Sequence, residues 1–237
     1  MTEYQSLKES TKLTPKNGLR QIHDVLFAAY GPQHWWPGET PFEVMVGAVL
    51  TQNTTWSNVE RVIRALVEAK YLDPDVISAA DPAILGVLLR PSGYFNVKAR
   101  RLQNFCRWYL ARGKEECLLT LPTQELRHEL LTVKGVGPET ADDILLYAFN
   151  RPVFVIDAYT RRLVTRLGFA RGNEPYETLR ALFEEELGPN VALYNEYHAL
   201  IVHHAKNFCR KQRPNCVNCV LAVHCPKLLD GINQLTK

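Results

Sequence analysis

Apolar residues recur three and four positions apart along nearly the whole chain, the signature of helices with one buried face. The pattern predicts helices over Leu19–Tyr30, Phe42–Gln52, Asn58–Ala69, Pro82–Leu89, Val97–Arg112, Thr123–Leu131, Pro138–Phe149, Ala158–Leu167, Pro175–Glu186 and Val191–Ala205. Asp73-Pro74, Asp81-Pro82 and Pro122-Thr123 supply caps and prolines where helices should begin. No convincing alternating strand occurs; Val153–Ile156 is short and wholly apolar, and reads as a buried connector. The fold class expected is all-α.

With 237 residues, 46% of them hydrophobic and 22% charged, the chain can bury a real core in one or two domains, which excludes disorder and fibrous classes. Its longest apolar runs, such as Val44–Leu50, fall far short of the ~20 residues of a membrane helix. The opening MTEYQSLKES carries no basic and apolar leader, so an intracellular, cytoplasmic protein without a membrane partner is expected.

Net charge is only +3, yet it is segregated. Residues 82–114 hold Arg90, Lys98, Arg100, Arg101, Arg107, Arg112 and Lys114 with no acid, and residues 206–227 hold Lys206, Arg210, Lys211, Arg213 and Lys227 with none. Acids gather elsewhere, as in Glu184-Glu185-Glu186. This suggests a positive face for a polyanion, against the plainer reading of a solvated surface.

Six cysteines divide into two kinds. Cys106 and Cys117 stand singly in or beside a helix and read as buried small hydrophobes. Cys209, Cys216, Cys219 and Cys225 follow a C-x6-C-x2-C-x5-C spacing within 17 residues. A structural zinc site usually pairs two short knuckles, and only Cys216 and Cys219 form one. Four thiolates wrapped this closely favour a compact [4Fe–4S] cube over zinc. Arg210, Lys211 and Arg213 lie in the first loop, which the centre would hold rigid against a phosphate backbone.

In Leu131-Thr132-Val133-Lys134-Gly135-Val136-Gly137-Pro138-Glu139-Thr140-Ala141 a helix ends, a G-V-G turn follows, and Pro138 opens the next helix. Glycines let backbone amides approach a phosphate, and the helix N-terminus adds its dipole. This is the helix-hairpin-helix pattern of sequence-independent DNA binders, although G-x-G alone also fits a plain helical turn.

The hairpin, an aspartate about twenty residues downstream and the four-cysteine loop together resemble the endonuclease III superfamily of DNA glycosylases, over roughly residues 19–226. The resemblance implies two helical lobes: a six-helix barrel over residues 36–149, and a cluster-bearing lobe from residues 1–35 and 150–237. Double-stranded DNA with a damaged base would bind a monomer across the cleft, with the base flipped into a pocket between the lobes. Gln52 matches the glutamine that fills the vacated hole, and Tyr94 the residue that wedges toward the opposite strand; each also reads as an ordinary helix-end or core residue. Lys134, with Gly135, Val136 and Gly137, would meet phosphates, as would Arg210 and Lys211. Asp157 matches the essential aspartate, whose carboxylate would stabilise the cation-like sugar and orient water; Asp is also a favoured N-cap, and the two roles are compatible.

One departure is informative. Endonuclease III proper has a lysine where this chain has Glu139, and glutamate cannot form a Schiff base. A monofunctional glycosylase without an efficient lyase step is therefore expected. The adenine-mismatch branch is disfavoured because this chain ends twelve residues after Cys225. His34-Trp35-Trp36-Pro37 and the Glu139 hairpin look most like the 3-methyladenine DNA glycosylase III branch, which implies an aromatic pocket formed by Trp35, Trp36 and Pro37 with Glu139, and Lys206 nearby. A cationic alkylated purine would stack on such indoles and be drawn to the carboxylate. The plainer readings are a surface-to-core anchor for the tryptophans and a first-turn acid for Glu139. Rival functions are a glycosylase for oxidised pyrimidines and a non-catalytic, cluster-bearing DNA binder.

Overall fold

The computed structural model describes residues 15–226. Lys227 of the basic run and the outer ends of the expected cluster-bearing lobe lie outside the described residues. Among these residues there are twelve α-helices and no strand. The chain divides into two compact units, Trp36–Arg151 and a second made of Met1–Trp35 with Pro152–Lys237.

The Trp36–Arg151 unit is built around α2, Pro41–Leu50. Thr40 caps it by accepting from the Glu43 amide, Pro41 occupies its first turn, and Val44 through Leu50 are buried. A helix that is apolar all round belongs in a core. Around it come α3 (Trp56–Glu68), α4 (Pro74–Ala79), α5 (Pro82–Leu89), α6 (Phe95–Ala111), α7 (Lys114–Thr120), α8 (Thr123–Thr132) and α9 (Pro138–Asp143). The short helices α4 and α7 were not expected from periodicity. Each is a single turn or two, too brief for a period to show, although the Asp73 carboxylate caps α4 as its Asp-Pro pair suggested. The helix expected over Pro138–Phe149 changes to a π turn at Ile144–Ala148, which packs on α2.

Two expectations about single residues are corrected. Lys98 does not belong to a positive surface: it is only 1% exposed, and its ammonium donates to the carbonyls of Leu50 at 2.9 Å and Ser92 at 2.7 Å. Burial, with Arg101 adding to it, brings its pKa down to about 8. Cys117 is exposed rather than buried, because α7 is too short to sink both of its faces; Cys106 is fully buried, as expected.

In the second unit, α1 (Pro15–Tyr30) packs with α11 (Tyr176–Leu187) and α12 (Val191–Asn207), and α12 also packs with α10 (Ala158–Arg166). The Val153–Ile156 connector is buried throughout. Phe154 stacks on Phe183 at 4.0 Å and meets Tyr194 and Tyr197 edge-on. Glu184, one of the acids read as a compensating surface charge, accepts the Phe154 amide at 3.0 Å. Ile156 donates its amide to Tyr176 Oη at 3.3 Å, so the connector reaches Asp157 already fixed.

The two hairpin helices are clamped by a buried ion pair. Arg127 on α8 donates to Asp142 on α9 through Nε at 2.6 Å and Nη2 at 3.1 Å, with Asp142 fully buried. Losing the guanidinium takes two charge-assisted hydrogen bonds from a fully buried carboxylate, so Arg127→Met should cost about 3–5 kcal/mol. Adding Asp142→Leu should recover much of that loss, as read by chemical unfolding of both variants.

Candidate active site

Within Trp36–Arg151, the turn between α8 and α9 places Gly135 at φ +109°, where an added Cβ would also collide with the Arg101 side chain. Gly137 has nothing within 4 Å of an added Cβ and has an ordinary φ of −102°, so its backbone is open to an approaching group. The amide of Val136 is bonded to the Val133 carbonyl at 2.9 Å. Lys134 is exposed, with its carbonyl accepting from Asn104 at 3.1 Å. Glu139 is exposed in the first turn of α9.

Gln52 follows the end of α2 and is tied to this hairpin. Its side-chain amide donates to the Gly135 carbonyl and Thr140 Oγ1, both at 3.0 Å, and its carbonyl oxygen accepts from Arg101. Tyr94 is 73% exposed and holds a left-handed φ of +46° at the N-cap of α6. A bulky residue in that conformation is strained, which marks the position as special.

Within the other unit, Asp157 caps α10: Oδ1 accepts from the Thr160 amide at 2.6 Å. Oδ2 faces His198 Nε2 at 3.6 Å. Burial pushes the Asp157 pKa upward, but His198 and Thr160 outweigh it, so the net shift is below the ordinary carboxylate value. Lys206 places its ammonium 5.7 Å from the Trp35 ring centre and 5.9 Å from that of Tyr159. Trp35 also lies 6.3 Å from the His198 ring. Burial, then the Asp157 charge, raises the pKa of Tyr159.

The expected aromatic set is thus split between the units. Trp35 and Lys206 come together near Asp157. Trp36 packs edge-on to Trp56 at 4.8 Å, against Tyr147 at 5.1 Å and over Gly47; with exposed Pro37 it borders a different hollow, which also includes Glu43 and Glu60.

Cys209, Cys216, Cys219 and Cys225 line one cavity of about 260 Å³, together with Arg166, Phe208, Pro214, Asn215 and Ala222. Among the described residues, no three His, Cys, Asp or Glu groups converge in the way a single metal ion requires. The loop is latched from α10. Arg162 donates to the carbonyls of Cys209 at 2.8 Å and Ala205 at 3.1 Å. Arg166 donates to Cys209 Sγ at 3.2 Å and to the carbonyls of Arg210 and Lys211. Arg210 and Lys211 keep their side chains exposed.

Sequence reasoning missed His198, Arg162 and Arg166. All three sit on helix faces that are unremarkable by periodicity, and only their tertiary partners distinguish them.

Both the helical hairpin and the capped Asp157 lie within the stretch that a known family matches. The chain belongs to the HhH-GPD superfamily of base excision DNA repair proteins, whose model matches residues 46–189, more than half of the chain. It is a DNA glycosylase of that superfamily. It is 46% identical over 208 residues, 86% of this chain and 94% of the relative, to a Methanocaldococcus jannaschii protein provisionally named a DNA repair glycosylase. It is 31% identical to the endonuclease III of Thermotoga maritima, over 78% of this chain and 82% of that one. Among solved structures, H. pylori 3-methyladenine DNA glycosylase bound to 1,N6-ethenoadenine matches with a TM-score of 0.70 and 29% identity, over 82% of this chain and 98% of that one. An endonuclease III in a non-covalent DNA complex shares the fold, with a TM-score of 0.80 at 24% identity over 93% and 99% of the two chains. Among the described residues no helix is long and apolar enough to cross a membrane.

The two glycines should separate under substitution. Gly135→Ala should destabilise by about 1–3 kcal/mol, since both φ and the Arg101 contact oppose a Cβ. Gly137→Ala should leave the unfolding midpoint nearly unchanged. Asp157 adds a pH signature. Its pKa is lowered on folding, so its contribution to stability is present above the ordinary value of 3.8 and is lost as pH falls through the lowered one. The stability gap between wild type and Asp157→Asn should therefore close in acid, as measured by unfolding at several pH values.

Proposed function

We propose that the chain is a monofunctional glycosylase that excises alkylated purines, 3-methyladenine first and 7-methylguanine as a further substrate, from double-stranded DNA. The observation that carries this reading is the Asp157 carboxylate, held ionised with one oxygen committed to a helix cap and the other turned toward His198. In the reaction the C1′–N bond breaks and its electron pair leaves with the base. Asp157 stabilises the positive charge developing on the sugar, water adds to C1′, and the carboxylate takes the water's proton. An alkylated purine leaves as a neutral molecule, so it needs little further help. Glu139 offers no amine for a covalent sugar adduct, which supports hydrolysis without strand cleavage.

DNA would be held by phosphate contacts at Lys134, Arg210 and Lys211 and by the backbone of the Gly135–Gly137 turn. Since the Val136 amide is bonded internally, Gly137 and the first turn of α9 are the better donors. Tyr94 and Gln52 would act at the disrupted base pair. Trp35, with Trp36 and Pro37 on the adjoining segment, Glu139 and Lys206 would serve the base. The all-cysteine donor set around one cavity fits a [4Fe–4S] cluster held by Cys209, Cys216, Cys219 and Cys225, which when bound would stiffen the basic loop rather than take part in proton transfer.

Lys206 favours a second reading. Its ammonium already occupies the faces of Trp35 and Tyr159, where it would repel a cationic purine and stabilise a neutral base departing as an anion. Lys206→Gln should therefore raise release of 3-methyladenine relative to neutral lesions if alkylated purines are the true substrates. If only neutral lesions such as hypoxanthine or thymine glycol are released by wild type, the second reading replaces the first.

On a methylated duplex, wild type should release free base and leave abasic sites that break only after alkali. Asp157→Asn should bind the same duplex and release base at least ~10²-fold more slowly. Borohydride should trap no protein–DNA adduct; an adduct abolished by Lys134→Ala would overturn the monofunctional assignment. Protein purified under low oxygen should contain about four iron and four sulfide per chain, lost in Cys216→Ser and retained in Cys106→Ser. Colourless, folded protein with stoichiometric zinc would refute the cluster. Charge reversal at Arg210 or Lys211 should weaken binding to damaged and undamaged duplex alike and flatten its salt dependence.

A further inference from the structure

We propose that His198 is the positioning residue of the reacting carboxylate, aiming Asp157 through its second oxygen; this deepens the hydrolytic reading above and rests on it. His198 sits inside α12 and is only 4% exposed. Its Nε2 stands 3.6 Å from Asp157 Oδ2, while Oδ1 is committed to the Thr160 amide at 2.6 Å. With Oδ1 bonded to an amide and Oδ2 faced by an imidazole, the plane of the carboxylate is set, and with it the direction of its remaining lone pairs. The 3.6 Å separation sets the imidazole beside the carboxylate without closing a hydrogen bond, and catalytic contacts of this kind often tighten when substrate binds.

The other groups around Asp157 leave this role to His198. On its own helix stand Thr160, Tyr159 and Arg162; from α12 come His198 and Lys206. Tyr159 is kept protonated, and the Asp157 charge contributes to that. Lys206 points its ammonium at the Trp35 and Tyr159 rings. The His198 imidazole is the group that stands opposite Oδ2 itself. The Trp35 ring centre lies 6.3 Å from that of His198, so one imidazole neighbours both the indole and the carboxylate.

The consequence is a pH signature. The ionised form of Asp157 is the active one, and His198 helps to lower its pKa, so losing His198 must move the titration of Asp157 upward. Two variants test this, His198→Leu, which removes the imidazole, and His198→Gln, which keeps a polar group able to donate and preserves folding if the leucine variant does not fold. The first readout is the NMR titration of the Asp157 carboxyl carbon, assigned against Asp157→Asn. The midpoint should rise in His198→Leu and return part of the way in His198→Gln. The second is single-turnover base release against pH, whose acid limb should move up in His198→Leu, with the rate recovering most of the loss at higher pH. An unmoved carboxyl midpoint, with release lowered equally at every pH, would show that His198 only fills the core and would overturn the proposal. The NMR midpoint decides the matter even if wild type releases no base from any duplex, an outcome that would instead refute the hydrolytic reading.

Discussion

One helix carries both chemistries of the second unit. Asp157 starts α10 by capping it, and Arg162 and Arg166, one and two turns further along, reach out to the backbone of the cysteine loop. The cap satisfies an amide that the first turn would otherwise leave without a partner. The apolar Val153–Ile156 connector just before it is buried, with Phe154 stacked on Phe183, so the chain enters the cap from an anchored segment. A rigid start to α10 therefore fixes the aspartate and, along the same axis, the guanidinium groups that shape the basic loop. The Thr160 hydrogen bond that caps the helix also fixes one oxygen of the acid.

The parts legible in the sequence are those governed by local rules. Long amphipathic helices announce themselves by period, the hairpin by Gly135, Gly137 and Pro138, the cysteine loop by its spacing, and Asp157 by standing between an apolar segment and a helical one. What stayed hidden depends on partners far away in sequence. His198 is one of three histidines on α12 and is distinguished only by the carboxylate opposite it. Lys98 belongs to a basic run and looks like its neighbours until the carbonyls of Leu50 and Ser92 are found around its ammonium. Cys106 and Cys117 read alike, yet one lies in the core and the other on a short helix whose buried residue is its neighbour Leu118.

Trp35 and Trp36 show how adjacent residues acquire separate tasks. The division of the chain falls between them. Trp36 is sunk against Gly47, Trp56 and Tyr147, where a large ring stabilises by area and shape. Trp35 keeps company with charge, between His198 and Lys206. Two adjacent tryptophans thus stand in different surroundings, one among rings and one beside charge, and no periodicity could have told them apart.

Lys98 joins two segments that carry exposed or polar functional candidates. Its ammonium bridges the last carbonyl of α2 and a carbonyl of the short turn before α6; Gln52 lies two residues beyond the first and Tyr94 two residues beyond the second. A buried lysine is costly, as its lowered pKa shows, and an apolar side chain of similar length would avoid that cost. It would also leave two buried carbonyls without donors at the places where the chain must leave helical geometry. The expense of the charge is thus set against the larger expense of two unsatisfied acceptors. That balance holds the left-handed backbone at Tyr94 and the loop at Gln52 to one another through the interior rather than across the surface.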